Sequence, residues 1–464
     1  MLVQGKTAVW KNVWWVVLSL CLTGPLGAAQ EPAEGPEEEA APEEASLRPR
    51  LDFGLEAKAN FRNSEENRFP VRFPFDPSQL PPGQTQGFEE TVDEGSHFEV
   101  STATLFVDAI WGDGLSAHGK IDFIDLYDRN PTSTDKKVDV DEVWVRFGVE
   151  TDPATLAPRT GVYLKVGKFP KFERQDDRHL ESYGLVSTAF NRFEDAGAEL
   201  GVSLGRHLYG KLTATQGNPV FLRDPNALAG DNGTNALLRA NPDPELKTGV
   251  VLLYDAEIED LDTDGDLELG GGLGARFADE SGRNALDVLA WAYRRTLADT
   301  VELEGTFYGG DLDLLDGPGG LTPLAVTGDE KKEFGGNVWL YLGGLSFFGQ
   351  YVDQDLGGLG RTGLEGEIAW RFDLPLVWAV DDRQLFTFIS PAVRYSKLDN
   401  DFRSHPLSPA PSLAWDWEKL DYGVRLGLFN GIDVTVEYAE NTFTLGSGAE
   451  RDNNELLSTL RWRI

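Results

Sequence analysis

Three residue types are nearly missing from this chain: one Cys, one Met and five His stand among 464 residues. A single cysteine, Cys21, excludes an internal disulfide framework. The five histidines (97, 118, 179, 207 and 405) have no zinc-ligand spacing, so no metal site and no cofactor is expected. Positive charge is scarce as well. Lys and Arg total 42 against 77 Asp and Glu, a formal net charge of −35. Nucleic-acid binding needs a basic face to meet phosphates, so that partner is excluded. Apolar runs are short: Val13 to Leu22 (VWWVVLSLCL) falls well below the roughly 20 residues that a membrane-spanning helix needs.

Glycine (51), Phe (26), Trp (12) and Tyr (12) are what the chain has instead. That mixture describes short, glycine-punctuated, aromatic-rich elements rather than a helical bundle. Lys6 and Lys11 precede the apolar run, and Gly27, Ala28 and Ala29 follow it, the order of a secretory signal peptide cut after Ala29. Cys21 follows Leu20, whereas a lipoprotein signal places a small residue before its Cys. Residues 30–50 carry seven Glu, four Pro and no aromatic, the composition of a flexible acidic segment.

From residue 51 to 464 apolar and polar residues alternate with period two. Val143, Val145, Phe147 and Val149 oppose Glu142, Trp144, Arg146 and Gly148; Ile432, Val434, Val436 and Tyr438 oppose Asp433, Thr435, Glu437 and Ala439. Val301 to Tyr308, Val162 to Val166, Leu208 to Ala214, Leu364 to Phe372 and Tyr422 to Leu428 read the same way. Such alternation argues for strands with one apolar and one polar face. Short links (Gly343-Gly344, Asn430-Gly431) mix with long ones (Asn63 to Gly95, Gly217 to Leu246, Asp311 to Lys332). The expected fold is all-β: a transmembrane antiparallel barrel of about 16 strands, possibly 18, with lipid outside and a water-filled lumen inside. A soluble propeller is the rival, but no repeat of 40 to 50 residues is visible. Strand after strand also places charge on the polar face, which a stacked sheet could not bury.

The last strand places Leu456, Leu460, Trp462 and Ile464 on one face, with Thr459, Arg461 and Arg463 on the other. It resembles the terminal strand that the barrel-assembly machinery recognises in bacterial outer-membrane proteins. The stretch from Val166 to Arg192, with Gly167-Lys168-Phe169 opening a long loop, resembles the phosphate-selective porins O and P. The resemblance implies a homotrimeric 16-stranded porin of the Gram-negative outer membrane, whose loop from Pro170 to Asp195 folds into the pore. It further implies that Lys168, Lys171, Arg174, Arg178 and Arg192 form a basic constriction for phosphate or other anions. Glu173, Asp176, Asp177, Glu181 and Glu194 nearly cancel that charge. On the inferred lumen face Lys120, Arg146, Lys165, Lys211 and Arg425 accompany Asp122, Glu142, Glu199, Glu302, Glu304, Glu365, Glu367 and Glu437.

Three motifs point elsewhere. Gly201-Val-Ser203-Leu-Gly205 fits a hydrolase pattern, yet its neighbours continue a period-two strand instead of the required strand–turn–helix. Gly358-Leu-Gly360-Arg-Thr-Gly363 fits a dinucleotide pattern but is followed by strand, not helix. Asp262 to Asp266 lacks the spacing of a calcium loop. No catalytic residue is therefore expected. Passive diffusion of small hydrophilic solutes or ions is the leading reading; a barrel-embedded hydrolase using Ser203, or a non-conducting adhesin or structural barrel, is the alternative.

Overall fold

A computed structural model describes residues 49–65, 68–71, 87–90, 95–112, 114–124, 138–148, 161–175, 178–190, 194–205, 207–217, 267–279, 283–297, 324, 326–375, 379–380, 383–403, 414–429 and 431–464. All lie in the second of two units, Leu47–Ile464. The acidic segment up to Arg48, the strand expected at Val301 to Tyr308 and the Asp262 to Asp266 motif fall outside the described residues.

Sixteen strands form one closed antiparallel circuit. They are β1 (Arg50–Ser64), β2 (Gly95–Trp111), β3 (Leu115–Ile124), β4 (Val138–Gly148), β5 (Gly161–Pro170), β6 (Glu194–Leu204), β7 (Leu208–Thr215) and β8 (Glu268–Ala278). Then follow β9 (Asn284–Thr296), β10 (Glu330–Leu342), β11 (Leu345–Leu356), β12 (Leu359–Trp370), β13 (Phe388–Asn400), β14 (Asp416–Gly427), β15 (Ile432–Thr444) and β16 (Glu455–Arg463). Each pairs with its chain neighbours, and β1 closes the ring by pairing β16 on one side and β2 on the other. Closure leaves no open edge, the condition for placing strands in hydrocarbon. An even number of antiparallel strands returns both ends of the barrel to the same rim, where the Leu55 and Ile464 backbones bond each other.

That rim also carries tight turns. Gly343 takes φ +63° between β10 and β11, a left-handed conformation that only glycine adopts freely. At the opposite rim β11 and β12 are joined by Gly357-Gly358, while β5 and β6 are separated by the long segment 171–193.

The alternation read from the sequence is realised inside out. Val143, Val145, Phe147, Leu273, Val436 and Leu460 are exposed, whereas Lys165, Glu367, Arg394, Glu437 and Thr459 are buried on the opposite face. An apolar exterior around a polar interior is the construction of an outer-membrane barrel. Tyr351, Tyr395 and Tyr422 mark one border of the lipid band, just below the charged Asp353, Lys397 and Glu418. Trp370, Phe372 and Trp462 mark the other.

Candidate pore and its constriction loop

The segment between β5 and β6 enters the lumen. It follows Pro170, which pairs with Glu194, so both ends of the loop expected from Pro170 to Asp195 belong to strands. Lys171 is buried at the loop base: its ammonium meets the Glu268 carboxylate, lies 3.7 Å from Asp195, and sits 4.6 Å from the Tyr293 ring centroid. Glu173 accepts from the Tyr293 hydroxyl at 2.6 Å, and its carbonyl accepts from Asn337 and Gln350. The loop then follows the inner wall. His179 donates its backbone N–H to Glu367 (3.0 Å); Glu181 and Ser182 donate theirs to Glu437 (2.7 and 2.8 Å). Lys419 donates to the Tyr183 carbonyl at 2.7 Å.

A short helix, α1 (Leu185–Ala189), completes the loop. Five residues with no side-chain cap cannot sustain a helix alone, so packing must hold it. Leu185, Val186, Ala189 and Phe190 join a dry cluster with Trp291, Val352, Leu356, Trp415, Trp417 and Phe443 on the inner wall. A Cβ at Gly363 would strike the Phe190 ring, so glycine opens the recess that Phe190 fills. One sector of the lumen is thus solid protein.

Charges inside this sector stand against opposite charges. Arg394 reaches Asp421 at 2.8 Å and Ser182 Oγ at 2.6 Å, with no solvent exposure. Glu181 gathers Lys58 (3.1 Å), Arg425 (2.6 Å) and Arg461 (3.5 Å). Burial pushes its carboxyl up, but those three cations and Arg178 outweigh burial and hold it well below the usual carboxylate range.

In the facing sector, β2 to β4 keep their inward charged side chains partly wet. Lys120 is 24% exposed and pairs with Asp141; Arg174 is 21% exposed and pairs with Glu194, 3.8 Å from Glu142. Asp108, 46% exposed, bonds His118 at 2.7 Å, and Thr104 donates to Asp122. Lys165 and Lys211 share Glu199 at 3.3 and 3.8 Å. Ligand oxygens of Asp141, Glu142 and Glu194 lie within 4.8 Å of one another, the one such acidic group among the described residues. Lys120 bonds Asp141 and Arg174 bonds Glu194, so two of the three carboxylates already hold a cation of the chain's own.

Of the residues expected at the constriction, Arg174 and Arg178 stand in the loop inside the lumen, with Arg178 stacked 4.6 Å over Tyr183. Lys171 is there too but sealed from water. Lys168 differs from expectation. It continues the outward row of Val162, Leu164 and Val166 and donates to the Val140 carbonyl, because period two carries it away from the lumen. Arg192 lies outside the described residues. Lys120, Arg146, Lys165, Lys211 and Arg425 all occupy inward rows. The alternation alone does not single out Arg394, Lys419 or Asp421, although each is on the polar side of its strand.

The decoy motifs resolve simply. Ser203 lies within β6, which turns at Gly205 straight into β7 with no helix, so the hydrolase elbow is not formed. Gly357-Gly358 is a hairpin turn leading into β12.

No known protein family matches the chain, and no curated protein matches it. Solved structures resemble its outline. The outer membrane channel DcaP of Acinetobacter baumannii matches at 9% identity and TM-score 0.48, covering 90% of this chain and 98% of its own. OprB of Pseudomonas putida matches at 9% and 0.46, covering 89% and 94%. An anion-selective porin from Comamonas acidovorans gives 8% and 0.44, covering 90% and 100%. At these scores the barrel assignment rests on the chain's own strand pairing.

Proposed function

We propose that the chain is a porin, passing small hydrophilic solutes or ions by passive diffusion across a Gram-negative outer membrane. One observation carries the reading: a polar-lined closed barrel whose loop is bonded across the lumen wall, leaving wet charge on the facing sector. A loop placed there narrows the bore without changing strand number, and charges at a narrow point filter by sign.

We assign the filter to Arg174 and Arg178 on the loop, with Lys120 and Lys211 along the wall. Many lumen carboxylates, among them Glu181, Glu268, Glu367 and Glu437, are buried in ion pairs or hydrogen bonds, so the passage is less acidic than the composition. A preference for anions, phosphate included, follows as the finer proposal. Export through the amino-terminal signal, insertion by the barrel-assembly machinery and a homotrimeric state belong to the same reading. Planar-bilayer recording in a salt gradient tests it: stepwise conductance with an anion-directed reversal potential is expected. A barrel that carries no current would overturn it, and trimer formation is checked by migration of unheated protein in mild detergent.

A further inference from the structure

We propose that Glu365, Glu367 and Glu437 are positioning residues that set the bore, holding the loop through its backbone amides. This rests on the porin reading. Four loop amides find a wall carboxylate: His179 on Glu367, Glu181 and Ser182 on the two oxygens of Glu437, Val186 on Glu365 at 3.2 Å. Glu367 also accepts from Gln175 Nε2 at 3.3 Å and lies 2.9 Å from His179 Nδ1.

The chemistry favours that division of labour. A loop folded into a lumen carries amides with no strand partner, and a buried amide without an acceptor is costly. An ionised carboxylate is the strongest acceptor a side chain offers. Countercharge stands close by, since Arg394 lies 3.5 Å from Glu367. Fit is tight at Gly184, where a Cβ would fall on the Glu365 carboxylate. All three glutamates are under 5% exposed, so they act on the loop and not on passing ions.

Bilayer recordings of the purified full chain in potassium chloride test this, with folding checked by heat-modifiable gel migration. E437Q and the double variant E365Q/E367Q should remain folded, raise open-channel noise and increase conductance about twofold, because Gln offers one acceptor where the carboxylate offers two. Gly184→Ala should act in the same direction and add nothing to E365Q. The control is D287N, which removes a wall charge bonded to Arg276 and Tyr209 instead of to a loop amide; its conductance should match wild type. Folded Gln variants with wild-type conductance and noise would overturn the proposal, as would an equal rise in D287N. Should E365Q/E367Q fail to fold, E437Q and Gly184→Ala decide alone. A wild-type chain that does not conduct fails the porin reading; a conducting wild type with silent variants fails only this inference.

Discussion

The two sectors of the lumen are built from the same residue types and behave differently. Along β9 to β16 the inward Arg, Lys, Asp and Glu are dry, and their partners are the loop and one another. Along β2 to β4 similar side chains keep access to water, as Lys120, Asp122 and Asp108 do. What separates structural from functional charge is therefore the loop lying over one wall and not the other. Buried ion pairs tolerate little change, because losing one partner strands the other in a poor solvent. Wet pairs tolerate much more.

Arg394→Leu should separate the two sectors most strongly. It strands Asp421, Glu365 and Glu367, and the expected cost is about 3–5 kcal/mol, read as a lower temperature for the heat-modifiable gel transition. The equivalent change in the open sector, Lys120→Leu, should move that temperature far less. Phe190→Ala comes next: emptying the recess over Gly363 should cost roughly 3 kcal/mol of loop seating, read as channel noise with the barrel intact.

Acid provides a milder probe. The Glu181 carboxyl is depressed in the folded chain, so its contribution is fully present above the unfolded carboxylate value of about 4.3 and erodes as pH falls below it. Conductance should be steady from neutral pH down to about 5 and become noisy in stronger acid, whereas Glu181→Gln should be noisy throughout. Selectivity should respond least. Arg174→Ala with Arg178→Ala should lower the anion-to-cation permeability ratio, while Lys171→Ala, buried against Glu268, should change stability and leave the ratio alone. Equal shifts from both would erase the distinction between the sectors.

The barrel was legible in the sequence because lipid and lumen impose period two, and Val434, Val436 and Tyr438 against Asp433, Thr435 and Glu437 state it outright. The inward loop was legible from its length and its motif. Its path was not. Which of Glu365, Asp122 or Glu437 would meet loop and which would meet water depends on where a 23-residue connection lies across the lumen, and period two carries no information about that. Lys168 shows the opposite case. Its basic character and its place in the motif suggest the constriction, yet counting by twos from Leu164 and Val166 already puts it on the outward face.

The porin reading places the passage off-centre, running along β2 to β4. Thiol modification during bilayer recording tests this directly, in a chain with Cys21→Ser so that each added cysteine is alone. Asp122→Cys stands in the wet sector, and Ser396→Cys lies fully buried beneath the loop. A charged, membrane-impermeant thiol reagent should cut the current through Asp122→Cys in steps and leave Ser396→Cys unchanged. Equal block at both positions, or block at Ser396→Cys alone, would rule out an off-centre passage.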